Sequence, residues 1–160
     1  MVTTSTGIAV QRKGSKSNSH VGRDFESLAL DFFVKQGLDL KPNVAVNIGI
    51  NGLKAHNFDL GNEDEKILVE CKAHTWTESG NVPSAKLTVW NEAMFFFHAA
   101  SSEYRKILFV LRDFSQKRKE TLGEYYIRTY FHLIPLNVEI WECDQNHCFA
   151  KQIWPVPNKS

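Results

Sequence analysis

The apolar positions of the chain fall into two alternating rhythms. Phe25, Leu28, Ala29, Phe32 and Phe33 stand at i, i+3, i+4, i+7 and i+8, one stripe at helical spacing that runs toward a stop at Gly37. Val44, Val46, Ile48 and Ile50 then alternate with small or polar residues, the period of a strand. Asn51-Gly52 signals a hairpin, and the returning strand runs to about Leu60. After the polar turn 61–65, a third strand covers Lys66 to about Ala73, so three tightly connected strands form an antiparallel meander.

Beyond a polar loop at 74–83, a helix is predicted over 84–102 and a buried strand over 105–113. A third helix is expected over about 119–132, then strands at 137–144 and 148–154. The order α-β-β-β-α-β-α-β predicts an α/β fold, a mixed sheet flanked by helices. In the 84–102 helix, Trp90, Ala93, Met94 and Phe97 share a stripe that Phe95 and Phe96 widen. That stripe is expected to be buried between the sheet and the C-terminal elements; a homodimer interface is the rival reading.

Composition sharpens this picture only in places. With 160 residues, 42% hydrophobic and 12% aromatic, the chain suits one packed domain over 21–160, behind a leader over 1–20. No apolar run reaches the roughly 20 residues a membrane span needs, and the N-terminal stretch lacks a secretory core, which predicts a cytoplasmic protein. Three cysteines without a C-x-x-C pair fit a reducing compartment. Net charge is only +1, yet Arg12, Lys13, Lys16 and Arg23 precede every acidic residue. The leader therefore reads as a basic, flexible arm, able to touch phosphates or to remain a solvated tail.

Two acidic-x-Lys triplets lie close together. Asp64-Glu65-Lys66 sits in a polar run and reads as a hydrated turn. Glu70-Cys71-Lys72 lies inside an apolar strand, where alternation puts Glu70 and Lys72 on one face, about 6.6 Å apart at roughly 3.3 Å per residue. Charges placed mid-strand are costly unless they meet solvent, a metal or each other. Asp59 ends the preceding strand, so Asp59 and Glu70 are placed to clamp one Mg²⁺ from adjacent strands. Lys72 is placed to hold an attacking water or to offset phosphate charge. Glu26 falls on the rim of the first helix's apolar stripe and is a fourth candidate for the same site.

Gly22-Arg23-Asp24-Phe25-Glu26, Phe58-Asp59 and Val69-Glu70-Cys71-Lys72, in this element order, resemble the PD-(D/E)XK, or restriction-endonuclease-like, nuclease superfamily. The resemblance implies an αβββαβ core over about 21–112, with a helix and strands appended over 113–154. It implies Asp59, Glu70 and the backbone carbonyl of Cys71 as ligands of Mg²⁺ (Mn²⁺ substituting), Glu26 acting on the metal through water, and Lys72 as the catalytic lysine. The activity implied is endonucleolytic hydrolysis of DNA, double-stranded or branched, with a homodimer as one way to cut both strands. A non-catalytic nucleic-acid-binding module is the alternative. His56, Asn57, His74, Thr75, Trp76 and Lys86 flank the expected site and are candidates for DNA contact. Phe58 stands where the family often has Pro, and helix 84–102 lacks a Gln-x-x-x-Tyr signature, which points away from an exonuclease. Cys143, His147 and Cys148 read as a hairpin turn, not a zinc site, because their spacing departs from the close pairs zinc favours. No Walker loop, dinucleotide fingerprint or nucleophile elbow occurs.

Overall fold

A computed structural model describes residues 18–158, with side chains from residue 22 onward. Arg12, Lys13 and Lys16 lie outside the described residues. Helix α1 spans Asn18–Lys35, beginning a few residues before the expected boundary. It closes at Gly37, whose φ is +86°. Leu38 N–H donates to Phe33 O at 3.0 Å and Gly37 N–H to Val34 O at 2.9 Å, a Schellman cap that uses the left-handed freedom of glycine.

Strands β1 (Lys41–Ile48), β2 (Lys54–Asn62) and β3 (Ile67–Lys72) form the expected meander. Ile50, predicted to extend β1, instead lies exposed in the 49–53 connection. Gly49 explains the early stop. Its N–H donates to Ala99 O at 3.1 Å, and a Cβ there would sit 1.8 Å from Gly52 O, so the chain leaves the sheet at a point only glycine can occupy. Asp64-Glu65-Lys66 is a turn, as expected, with Asn62 Oδ1 accepting from the N–H groups of Asp64 and Glu65.

Helix α2 (Ser84–Ala99) returns the chain to β4 (Arg105–Leu111), parallel to β3. It ends three residues short of the predicted limit, where Gly49 N–H and the Lys106 ammonium take up the carbonyls of Ala99 and Ala100. A two-residue pair, β5 (Phe114–Ser115) with β6 (Glu120–Thr121), occupies the stretch where the third helix was expected to start. Helix α3 runs Leu122–Tyr130 behind a Thr121/Glu124 capping box, which sets its first turn, and a 3₁₀ turn follows at Phe131–Leu133. Strands β7 (Val138–Asp144) and β8 (Phe149–Trp154) complete a six-stranded sheet in the order β1-β2-β3-β4-β7-β8. The turn between them holds His147 against Asp144 at 2.8 Å, with Cys143 buried and Cys148 exposed at its two ends.

The sheet is mixed: β3, β4 and β7 are parallel, and the outer neighbours antiparallel. Helix α1 buries Phe25, Ala29 and Phe33 against Leu60, Val69, Ile107 and Phe109 on one face. Helices α2 and α3 bury Trp90, Phe97 and Tyr126 against Phe58, Leu68, Leu108 and Ile140 on the other. The Trp90–Phe97 stripe of α2 is thus core, as read from its spacing, while Phe95 is 59% exposed. No helix among the described residues is long and apolar enough to cross a membrane.

Candidate active site

Strand β2 changes faces at Asp59. Phe58 packs in the α2 core and Leu60 in the α1 core, although two residues of a regular strand share a face. The bend has a visible cause on β1, where Pro42 pairs with Leu60 and Val44 with Phe58 while Asn43 between them takes φ +54°. On the other side, the β2–β3 pairing ends at Leu60↔Val69. One step further along that register stand Asp59 and Glu70, where the two strands separate. The N–H of Cys71 donates to Asp59 Oδ2 at 2.7 Å, so a side chain bridges the opening.

Glu70 lies on the α2 face and is 5% exposed. Its Oε2 accepts from Lys72 Nζ at 3.0 Å, and its Oε1 is 3.2 Å from His56 Nε2. The carboxylate can only accept there, so that ring nitrogen carries the proton. The His56 ring is stacked on Phe96, centroids 3.9 Å apart, and edge-on to Phe58 at 4.7 Å. His56 is therefore built into the site as a partner of Glu70, with 24% of its side chain still exposed. The sequence carried a signal for this, since His56 and Phe58 are two apart on one strand and share its face.

Glu26 approaches from α1, partly exposed. Burial raises its pKa, and the negative fields of Asp59 and Glu70 raise it further against the pull of Lys72 and Arg23. Burial likewise raises Glu70, opposed by Lys72 and reinforced by Asp59. Burial alone would lower Lys72, but Glu70 and Asp59 outweigh it and hold the ammonium charged. The Cys71 thiol is pushed well up by burial and then by the three carboxylates, which keeps it protonated. Residues from α1, β2 and β3 thus share one electrostatic environment with surplus negative charge.

These donors fit a hard divalent cation. The carboxylates of Glu26, Asp59 and Glu70 and the carbonyl of Cys71 are all oxygen donors, and the repulsion among the carboxylates is what such an ion would relieve. Among the described residues no group of three or more His, Cys, Asp or Glu side chains is placed to hold a metal ion. Mg²⁺ does not need one, because it is held by one or two carboxylates with water and phosphate oxygens completing the octahedron.

Beside Lys72 a cleft of about 440 Å³ opens between the start of loop 73–83 and α2. His74 and Lys86 line it, as does Thr75, whereas Asn57 is exposed on β2. Arg23 is exposed on α1. Trp76 does not join this surface. It is 8% exposed, its N–H donates to Asp113 Oδ2 at 2.8 Å and its indole N–H to Asp113 O at 2.9 Å. The Arg118 guanidinium covers the ring at 5.1 Å and donates to Gly80 O at 3.2 Å. Asp113 and Arg118, missed in the sequence because they are distant along the chain, therefore fasten the loop that leaves the site.

Compared with protein families, with curated proteins and with solved structures, the chain matches none of them.

Proposed function

We propose that the chain is a divalent-cation-dependent endonuclease of the PD-(D/E)XK, restriction-endonuclease-like superfamily, hydrolysing DNA phosphodiester bonds. One observation carries the reading: where β2 and β3 part, Lys72 binds Glu70 and Asp59 binds the Cys71 N–H between them, while Glu26 of α1 lies within their electrostatic field. The α1-β1-β2-β3-α2-β4 order, with its meander and its parallel β3–β4 pair, is compatible with the αβββαβ core of that superfamily.

In this reading Asp59, Glu70 and the Cys71 carbonyl hold Mg²⁺ or Mn²⁺, with Glu26 acting through water. When bound, the ion supplies Lewis-acid polarisation of the phosphate and a more acidic water. Lys72, kept charged by Glu70, donates to the attacking water or to a phosphate oxygen and offsets charge that grows in the transition state. Asp59, tied to the Cys71 N–H, keeps one carboxylate oxygen directed away from that bond. His56 holds Glu70 through the proton on its Nε2.

A second reading, a nucleic-acid-binding module that does not cleave, draws on the engagement of both Glu70 oxygens by His56 and Lys72. Each carboxylate oxygen retains a further lone pair, so this engagement leaves room for a cation. Incubation of the full chain with supercoiled plasmid, a branched junction and single-stranded DNA, in Mg²⁺, Mn²⁺ or EDTA, separates the two. Metal-dependent cutting that Asp59→Asn abolishes supports the nuclease; binding without cutting in either metal supports the module.

A further inference from the structure

The cleft beside Lys72 contains donors and no carboxylate among its lining residues. Lys72 and Lys86 bring two ammonium groups, and their combined field reaches His74, which also loses solvent there. Thr77, although at the rim, spends its hydroxyl on Asn81 in a local turn, and Lys72 is paired with Glu70, so His74, Lys86 and the exposed Thr75 provide the free polar side chains of the lining.

His74 has only one tautomer open to it. The indole N–H of Trp90, itself fully buried, donates to His74 Nδ1 at 2.8 Å. An indole nitrogen cannot accept, so Nδ1 must be bare and the ring proton must sit on Nε2. Nε2 lies across the ring from the Trp90 contact. His74 thus offers an N–H donor without adding charge to a pocket that already holds two cations. A cleft lined by the Lys86 ammonium and a fixed neutral donor, with the Glu70-paired Lys72 at its edge and no carboxylate in its lining, is complementary to a phosphate oxygen.

We propose that His74 and Lys86 form a subsite for the DNA backbone phosphate next to the scissile one, with Trp90 as the residue that positions His74. The inference rests on the nuclease reading for the location of the scissile phosphate. It assigns the phosphate grip to the cleft, leaving Glu26, Asp59, Glu70 and Lys72 to the chemistry. The anchoring of loop 73–83 by Asp113 and Arg118 gives this subsite a rigid wall, so little ordering remains for DNA to impose.

The test is binding of a short DNA duplex to the full chain in EDTA, read by anisotropy over a range of salt, with ¹⁵N spectra of the histidine side chains. Two substitutions divide the two nitrogens of His74 between them. His74→Gln places a donor near the Nε2 position, and His74→Asn places an acceptor near Nδ1. We expect affinity to follow the first and stability the second: His74→Gln stays within about 3-fold of wild type for DNA, whereas His74→Asn weakens binding about 10-fold, the equivalent of one good hydrogen bond. Lys86→Ala should lower the slope of log K against log salt by about 0.9, one phosphate contact. DNA should move the His74 Nε2–H signal, and Trp90→Phe should end the exclusive Nε2–H tautomer.

Wild-type affinity and salt slope in both Lys86→Ala and His74→Asn would overturn the subsite, as would a His74 signal that ignores DNA. Because none of these readouts needs turnover, the two ideas fail separately. Binding through the cleft without cutting in any metal removes the nuclease and keeps a DNA-phosphate subsite that is no longer defined by a scissile bond. Cutting whose KM ignores both substitutions keeps the nuclease and removes the subsite. Wild-type protein that binds no DNA removes both.

Discussion

The N–H of Cys71 donates to Asp59 Oδ2 across the gap where β2 and β3 part, at 2.7 Å. One residue therefore serves the fold through one carboxylate oxygen and the proposed chemistry through its charge. Asn keeps an acceptor and removes the charge; Ala removes both. Asp59→Asn should cut plasmid cleavage by about 10²–10³-fold, a typical loss for one electrostatic group at a reacting centre, with stability near wild type. Asp59→Ala should lose the same activity and about 1–2 kcal/mol of stability, since a part-buried N–H is left without its partner. Nicking assays and urea denaturation read the two effects separately. Equal stability losses in both variants would show that the Cys71 bond is not the structural contribution of Asp59.

Lys72 and Glu70 are both largely buried, with side-chain exposures of 15% and 6%. Removing one charge of such a pair strands the other. Lys72→Met, which keeps the aliphatic stem, should destabilise the fold by about 3 kcal/mol. Adding Glu70→Gln should recover part of that loss, because the carboxylate stranded by the loss of Lys72 is then neutral; a double-mutant cycle in urea measures the coupling. Neither variant should cleave DNA. Full activity of Lys72→Met would remove Lys72 from the proposed site.

His74 links stability to pH. Burial first, then the fields of Lys86 and Lys72, lower its pKa from 6.5 to about 4. The unfolded chain takes up this proton below about pH 6.5, while the folded protein resists until about pH 4. The contribution is therefore present in full above pH 6.5 and is lost as the pH falls toward 4. For a half-buried ring, solvent screening limits it to about 1–2 kcal/mol. His74→Asn, which does not titrate, should narrow the stability difference between pH 7 and pH 4.5 by that amount in chemical denaturation. An unchanged difference would mean that the ring is solvated when protonated.

Asp113 holds Trp76, and Trp76 holds the loop beyond the site. Asp113→Ala removes one of the two hydrogen bonds and should cost about 1 kcal/mol overall. Its larger effect should be local, as faster hydrogen exchange over 74–83 and weaker DNA binding with little change in the exchange of β3 or β4. Uniform acceleration across the sheet would instead make Asp113 part of the global fold.

Much of the architecture was legible in the sequence because periodicity is a local property. Helical spacing from Phe25 to Phe33, the alternation along β1 and the apolar run of β3 each follow from which face must leave water. The same logic separated Glu70-Cys71-Lys72, embedded among apolar residues, from the hydrated turn at Asp64-Glu65-Lys66. Local chemistry also marked Gly37 as the end of α1. Where sequence reasoning overran, the limits came from contacts between distant segments. Strand β1 stops at Gly49 because Gly52 and Ala99 meet it there, and α3 starts late because Glu120 and Thr121 pair with Phe114 and Ser115.

The sequence by itself determined the hydrophobic faces, the order of elements and the presence of carboxylates and a lysine on neighbouring strands. Tertiary structure alone decided how those groups meet. The face change of β2 at Asp59, the hold of His56 on Glu70, the burial of Trp76 and the single tautomer of His74 all depend on residues distant in sequence. Spacing along a chain fixes which way a side chain points only while the element stays regular, and a hydrogen bond or a shifted proton depends on what packing brings opposite it.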